Sequence, residues 1–377
     1  MRYKVKYTAI TMIAFALSGC FYLNSEKKKM DERLYHDASM DWSLKKNSLV
    51  KNYTAIIMAD PQPWRLNSGD ANGSSNREPW LKINEQVADV IKVHKAAFHI
   101  VNGDLTEFGQ QKNYDDYKSV YKNLESPVYE GLGNHDYANN AGNCTNPEAF
   151  NFYKDACALS AVSRMVSEIK KYRNQLSHFN ADVTESLIPV SRGSIQVIKG
   201  SLSYSWDYGD VHYVQLHNYP SYTVRLVEQS MEVQINKSLD WLKKDLAAAD
   251  ARGKVTIINF HDARAASIDG ESFFIRKKNA KDLSIFKSII TSHNVKAIFV
   301  GHTHSQSYCR AKNDKVFGDI PVYTAGALFN GDYYLIDVKG KTIHVKAYNG
   351  IIGKPLLIKD LGVMGKNTQF SASCSRL

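Results

Sequence analysis

Short apolar runs that break off at a polar residue recur along this chain of 377 residues. "YTAIIMAD" ends at Asp60, "AAFHIVNGD" at Asp104, and "SPVYEGLGNHD" at Asn134, His135 and Asp136. Between them lie "EPWLKINEQVADVIKVH" and "YDDYKSVYKNL", whose apolar residues fall at helical spacing. Unbroken apolar runs suit strands buried on both faces, and amphipathic stretches suit helices that cover those faces. The βαβαβ rhythm predicts a parallel or mixed sheet flanked by helices. It resumes further on. "LSYSWDYGDVHYVQLHNY" predicts a hairpin turning at Gly209-Asp210, then a helix leads to the strand "KVTIINFHD" and another to "VKAIFVGHTH". "IPVYTAG", "DYYLIDV" and "TIHVKAYN" read as closing strands.

One stretch interrupts this order. Residues 138–200 open with the turn-rich "ANNAGNCTNP", where Asn146-Pro147 suits a helix start, and continue into a long amphipathic segment, "EAFNFYKDACALSAVSRMVSEIKKYRNQL". They are expected to form a helical insertion capping the site, with Phe150, Phe152, Tyr153 and Met165 either in its core or facing a substrate. The main domain is expected over residues 51–350, with residues 351–377 a C-terminal tail.

The N-terminus belongs to a different class. Arg2, Lys4 and Lys6 precede the apolar run "YTAITMIAFAL", too short to span a bilayer and suited to a secretory signal, so residues 1–19 are expected to be removed. The run ends in "LSGC", Leu17 to Cys20, which resembles the lipobox of bacterial lipoproteins and implies a lipid on Cys20. Residues 20–50 then read as a polar tether. The expected location is a bacterial cell envelope, lipid-anchored and facing the periplasm or the surface. The remaining cysteines, Cys144, Cys157, Cys309 and Cys374, permit three pairings, of which Cys144–Cys157 with Cys309–Cys374 is the simplest in an oxidising compartment. The formal charge is +10, and losing Arg2, Lys4 and Lys6 leaves +7. Such a charge suits a solvated surface or a tether near anionic lipid, and no concentrated basic and aromatic stretch argues for nucleic acid. A monomer is expected.

The strand ends carry the chemistry. In order they offer Asp60 and Gln62, Asp104 with Glu107 in "VNGDLTE", Asn134 and His135, His261 in "INFHDAR", and His302 and His304 in "FVGHTHS". Each taken alone has a plain structural use as a turn residue, cap or core histidine. Together they end five separate strands, and open α/β sheets collect ligands at the carboxyl ends of their strands. Gly103, Gly133 and Gly301 permit the close backbone approach that such a crevice needs.

The set resembles the calcineurin-like metallophosphoesterase superfamily, whose motifs D-x-H, G-D, G-N-H-D/E, a separate histidine and G-H-x-H read here "DPQ", "GDLTE", "GNHDY", "FHD" and "GHTH". The resemblance runs from about Tyr53 to Asn349. It implies a four-layer αββα sandwich of two mixed β-sheets flanked by helices, with two metals at the strand ends. It further implies a first metal on Asp60, Gln62, Asp104 and His304, and a second on Asp104, Asn134, His261 and His302. Such donors suit Mn, Fe or Zn better than Ca or Mg. A hydroxide bridging the two metals would attack a phosphate mono- or diester, His135 would protonate the leaving oxygen, and Asp136 or Glu107 would orient its ring.

Gln62 departs from the pattern, since the family has histidine there. It could bind metal through its amide oxygen, act through a water, or mark a decayed site. The first is preferred because every other motif residue is present and active branches carry D-x-Q. Arg264 could bind phosphate or be a surface residue. The expected substrate is a phosphorylated small molecule, a lipid headgroup or a phosphoprotein. Alternatives are a nucleotide pyrophosphohydrolase and a non-catalytic lipoprotein that keeps the fold for binding.

Overall fold

A computed structural model of the protein describes residues 50–66, 74–144, 154–191, 193–228, 230–263, 272–310, 312–364 and 375–377. The expected signal peptide, Cys20, the tether, Phe150, Phe152, Tyr153, Arg264 and Cys374 lie outside the described residues. Among the described residues no helix is long and apolar enough to cross a membrane.

Two mixed sheets form the body. The six-stranded sheet runs β17 (Leu356–Val363), β16 (Thr342–Asn349), β15 (Asp332–Lys339), β1 (Asn52–Met58), β2 (Phe98–Val101) and β3 (Val128–Glu130). β1, β2 and β3 are parallel, and β15 returns antiparallel to β1 with Ile56 opposite Leu335. The eight-stranded sheet runs β18 (Ser375–Arg376), β13 (Gln306–Cys309), β14 (Val322–Ala325), β12 (Val295–Val300), β11 (Val255–Asn259), β8 (Val211–Gln215), β7 (Tyr204–Tyr208) and β4 (Ser177–Ala181). Its centre is parallel and β7–β8 is the antiparallel hairpin expected at Gly209-Asp210.

Aromatic rings fill the space between these sheets. Phe98 of β2 meets Tyr213 and Trp206 of the other sheet with ring centroids 5.1 and 6.2 Å away, mostly edge to face. Helices α1 (Arg77–Lys92) and α2 (Gln111–Tyr121) supply the β1–β2 and β2–β3 crossovers. α1 buries Trp80, Val87, Ala88, Val90 and Ile91, a stripe at i, i+3, i+4 spacing, and has Pro79 in its first turn, where no helical N–H is lost. On the far side, Leu242, Leu246, Phe286 and Ile290 of α4 (Leu239–Ala251) and α5 (Ala280–Ser292) share a core with Val214, Ile258 and Ile298 of the eight-stranded sheet. The αββα layering expected from the sequence is present.

His212 of β8 is fully buried between two carboxylates, with Nδ1 2.7 Å from Asp207 of β7 and Nε2 2.8 Å from Asp245 of α4. Arg252 closes on Asp207 at 2.8 and 2.9 Å, and Ser205 and Asn180 donate to Asp245. The cluster ties α4 to the sheet.

Two features differ from expectation. A third sheet, β5 (Thr184–Val190), β6 (Gly193–Gly200), β10 (Met231–Ile235) and β9 (Val224–Glu228), stands beside the sandwich, so residues 138–200 are only partly helical. The helix of that segment, α3 (Ala156–Gln175), is buried along most of its length, and its Arg164 donates to the Gly109 carbonyl at 3.2 Å. Met165 is buried there. The described part of the expected C-terminal tail, residues 351–364 and 375–377, also contains strands, since β17 pairs with β16 and β18 with β13. Cys144 and Cys157 form the expected disulfide; β18 sets Ser375 opposite Tyr308, next to Cys309, while its expected partner Cys374 is outside the described residues.

Candidate metal centre

Five chain segments converge where β1, β2, β3, β11 and β12 end. Asp60 and Gln62 follow β1, Asp104 follows β2, Asn134 opens a single wide turn (Asn134–Ala138) after β3, His261 follows β11, and His302 and His304 follow β12. Asp60, Gln62, Asp104, His302 and His304 all hold positive φ, from 35° to 74°. Non-glycine residues adopt that region at a cost of about 1–3 kcal/mol each, and such strain gathers at functional sites. The neighbouring glycines are required by space: a Cβ on Gly133 would come within 2.2 Å of Asp104 Oδ1, and one on Gly301 within 2.5 Å of Asp60 Oδ2.

The side chains form two groups that share Asp104. Ligand atoms of Asp104, His261 and His302 lie within 4.8 Å of one another, as do those of Asp60, Asp104 and His304. His261 Nε2 is 3.2 Å from Asp104 Oδ2 and 2.9 Å from Asn134 Oδ1, and 3.2 Å from His302 Nδ1. His304 Nε2 stands 3.4 Å from Asp60 Oδ1. Burial opposes a charge on His261, but the Asp104 and Asp60 carboxylates outweigh it and raise the imidazole to about 10. Burial likewise opposes a charge on Asp104, and the facing histidines more than offset it, holding the carboxyl well below its usual range. A field that draws a proton this strongly will also draw a cation.

Whether the residues suit a metal is tested by their unspent atoms. Asp60 Oδ1 and Gln62 Oε1 are buried acceptors without a hydrogen-bond donor. Buried acceptors are rarely left so, and imidazole, carboxylate and amide oxygens together fit a divalent transition metal. Gln62 has a second task that its sequence position did not show: its amide nitrogen donates to Asp104 Oδ2 at 3.3 Å and to Glu107 Oε2 at 3.1 Å. Only Oε1 remains to face a cation.

The two carboxylates expected beside His135 have separate roles. Glu107 is the one that orients the ring, with His135 Nδ1 3.0 Å from its backbone oxygen and 3.3 Å from Oε1. Burial lowers the His135 pKa, while Asp104 and Glu107 raise it more, to about 9. Asp136 does not touch the ring. Its carboxylate accepts from the backbone of Leu105, Thr106 and Gly133 and from Thr106 Oγ1, at 2.8–3.1 Å, which fixes the loop carrying Asp104. Sequence reasoning missed Arg65, which donates to Glu107 at 3.3 Å. No spacing marks it; the loop is positioned by Trp80 Nε1 on the Pro61 carbonyl at 2.7 Å and Trp64 Nε1 on Asp116 at 2.6 Å. Beside the centre opens a cavity of about 480 Å³, lined by Arg65, His304, Phe329, Asn330, Asp332 and Ile358 among others.

A family model for calcineurin-like phosphoesterases matches residues 54–306. The chain belongs to the calcineurin-like phosphoesterase family. Among solved structures, this phosphoesterase resembles a purple acid phosphatase from seeds of yellow lupin (Lupinus luteus), at 12% identity and a TM-score of 0.51, over 84% of this chain and 54% of that one. It thus spans about half the length of the lupin protein. A dimetal phosphatase from Danio rerio matches at 12% identity and a TM-score of 0.49, over 82% of this chain and 99% of that one. No curated protein sequence matches it. At 12% identity the likeness to the lupin protein establishes the fold alone.

Proposed function

We propose that the protein is a metal-dependent phosphoesterase that cleaves a phosphate mono- or diester at this centre, held to a bacterial cell envelope by a lipid on Cys20. The observation that supports the reading is the pair of ligand groups joined through Asp104, with Asp60 Oδ1 and Gln62 Oε1 left as buried acceptors. Two divalent ions, when bound, would supply Lewis acidity toward a phosphoryl oxygen and lower the pKa of a water.

The chain supplies the rest. Asp60, Asp104 and His304 would hold one ion with Gln62 Oε1, and Asp104, Asn134, His261 and His302 the other; Mn, Fe and Zn all suit these donors. His135, charged at neutral pH and fixed at Nδ1 by Glu107, presents Nε2 to protonate the leaving oxygen. Arg65 lines the cavity beside His304, where its guanidinium adds positive charge for an anionic substrate. A phosphorylated small molecule, a lipid headgroup and a phosphoprotein all satisfy this chemistry.

The test is hydrolysis of para-nitrophenyl phosphate and its bis-ester by the purified protein with Mn added, alongside elemental analysis. Turnover of either ester with bound transition metal is expected. Activity on neither, with no metal retained, would sink the reading in favour of a binding protein.

A further inference from the structure

The β16–β17 hairpin joins features that the catalytic centre does not use. Its tip and second strand read "IIGKPLLIK", Ile351 to Lys359, and Ile351, Ile352, Leu356, Leu357 and Ile358 are between 38 and 55% exposed. Successive residues of a strand point to opposite faces, so Leu356, Leu357 and Ile358 expose apolar groups on both. Five aliphatic side chains in one such stretch make a patch of the kind that marks an interaction site on a soluble protein.

Within the hairpin the charge before Asp360 has one sign. From Lys339 to Lys359 the chain contains Lys339, Lys341, Lys346, Lys354 and Lys359 and no acidic residue. Asp360 pairs with His344, Asp337 takes up Lys346, Asp89 of α1 pairs with Lys92, and Glu85 of α1 is exposed, so Lys354 and Lys359 are the cations nearest the aliphatic groups in sequence. The tip is also held in place. Gln86 of α1 donates to the Ile351 carbonyl at 2.6 Å, Ile351 N donates to Asn349 Oδ1 at 2.9 Å, and Gly350 lies against Val90. The aliphatic groups are thus presented on a fixed scaffold.

We infer that this hairpin tip docks the protein onto the surface of an anionic phospholipid bilayer. Ile351, Ile352 and Leu357 enter the interfacial layer while Lys354 and Lys359 meet lipid phosphates, the pairing of apolar burial with lysine attraction that holds proteins at such surfaces. Only the tip enters. β17 has no strand on its outer side among the described residues, and a bare strand edge is costly in hydrocarbon. A peptide or a second copy added to that edge would not account for aliphatic groups on both faces or for Lys354 and Lys359 beside them.

Ile358 belongs both to the patch and to the wall of the cavity beside His304, so docking sets the cavity mouth at the headgroup layer. That a lipid-borne phosphate is then the substrate rests on the phosphoesterase reading; the docking does not. The test uses the full-length protein on vesicles of phosphatidylcholine alone or mixed with phosphatidylglycerol, with amide hydrogen exchange followed over residues 350–360. Exchange is expected to slow severalfold on the mixed vesicles only. Ile352→Ser with Leu357→Ser, and separately Lys354→Glu with Lys359→Glu, should abolish the slowing and leave turnover of para-nitrophenyl phosphate unchanged. Equal exchange on both vesicle types overturns the inference. So does protection that follows protein concentration without lipid, which would assign the edge to a second copy.

Discussion

Replacing His212 with glutamine tests how the buried cluster of β7, β8 and α4 is held. In the native protein the ring bridges Asp207 and Asp245 at 2.7 and 2.8 Å with both carboxylates buried. Burial opposes the ring's charge, yet the bonds to Asp207 and Asp245 outweigh it and raise its pKa, while Asp207 is held down at about 2. Glutamine can donate to one carboxylate but not reach both. The other loses a charge-assisted bond worth about 1.5–3 kcal/mol, and breaking a buried charged pair costs about 3–5 kcal/mol in all. That is a large share of a domain stability of about 5–15 kcal/mol. The pH dependence has a definite sign. Because the folded pKa of His212 is raised, its contribution is complete below about pH 6.5 and is lost as pH rises through the folded value. Asp207 contributes above about pH 4 and fails as pH falls toward 2. The gap between wild type and His212→Gln, read by urea unfolding, should therefore be widest between about pH 4 and 6.5 and narrow on the alkaline side. A gap below about 1 kcal/mol at pH 6, within the ordinary range of substitutions, would refute the reasoning. So would a gap of constant size into the alkaline range.

At the centre, Asp104→Asn and His302→Ala should each remove phosphoesterase activity and bound metal together, checked by ester hydrolysis and elemental analysis. Glu107→Gln removes a carboxylate that raises the His135 pKa, so the alkaline limb of kcat should move to lower pH, with kcat down roughly 10²-fold if acid catalysis is lost. Gln62→His should tighten Mn binding in isothermal titration, since imidazole is the stronger ligand; unchanged affinity would mean that Oε1 does not reach the ion.

Much of this was readable from residue order. β1, β2 and β12 are apolar without alternation because both of their faces are covered, and the polar residue after each run marks the strand's end, where Asp60 and Asp104 are still buried. What each polar group does after the strand was less legible. Asp136 is the immediate sequence neighbour of His135, but the wide turn at Asn134–Ala138 directs it back onto the Leu105–Thr106 backbone, and the distant Glu107 reaches the ring instead. Arg65 reaches Glu107 only because Trp64 and Trp80 fix the intervening loop, and no local pattern records those contacts. β17 was read as a tail because a strand with aliphatic groups on both exposed faces shows neither alternation nor a buried run. In the third sheet every residue of β5 is exposed, so no burial pattern marks that strand.

The ligand residues are divided between the two main sheets. Asp60, Asp104 and Asn134 hang from the six-stranded one, and His261, His302 and His304 from the eight-stranded one. A cation bound by both groups is therefore a clasp across the seam of the sandwich as well as a reagent. Only a chain in which both sheets have formed and met can close it, so the ion favours the finished structure by mass action, about 2.7 kcal/mol at a hundredfold excess over Kd. Treatment with a chelator should then lower Tm by several degrees in calorimetry, beyond silencing the enzyme. A half-assembled molecule would hold half a ligand set, and hydrolytic power would appear only when folding is complete.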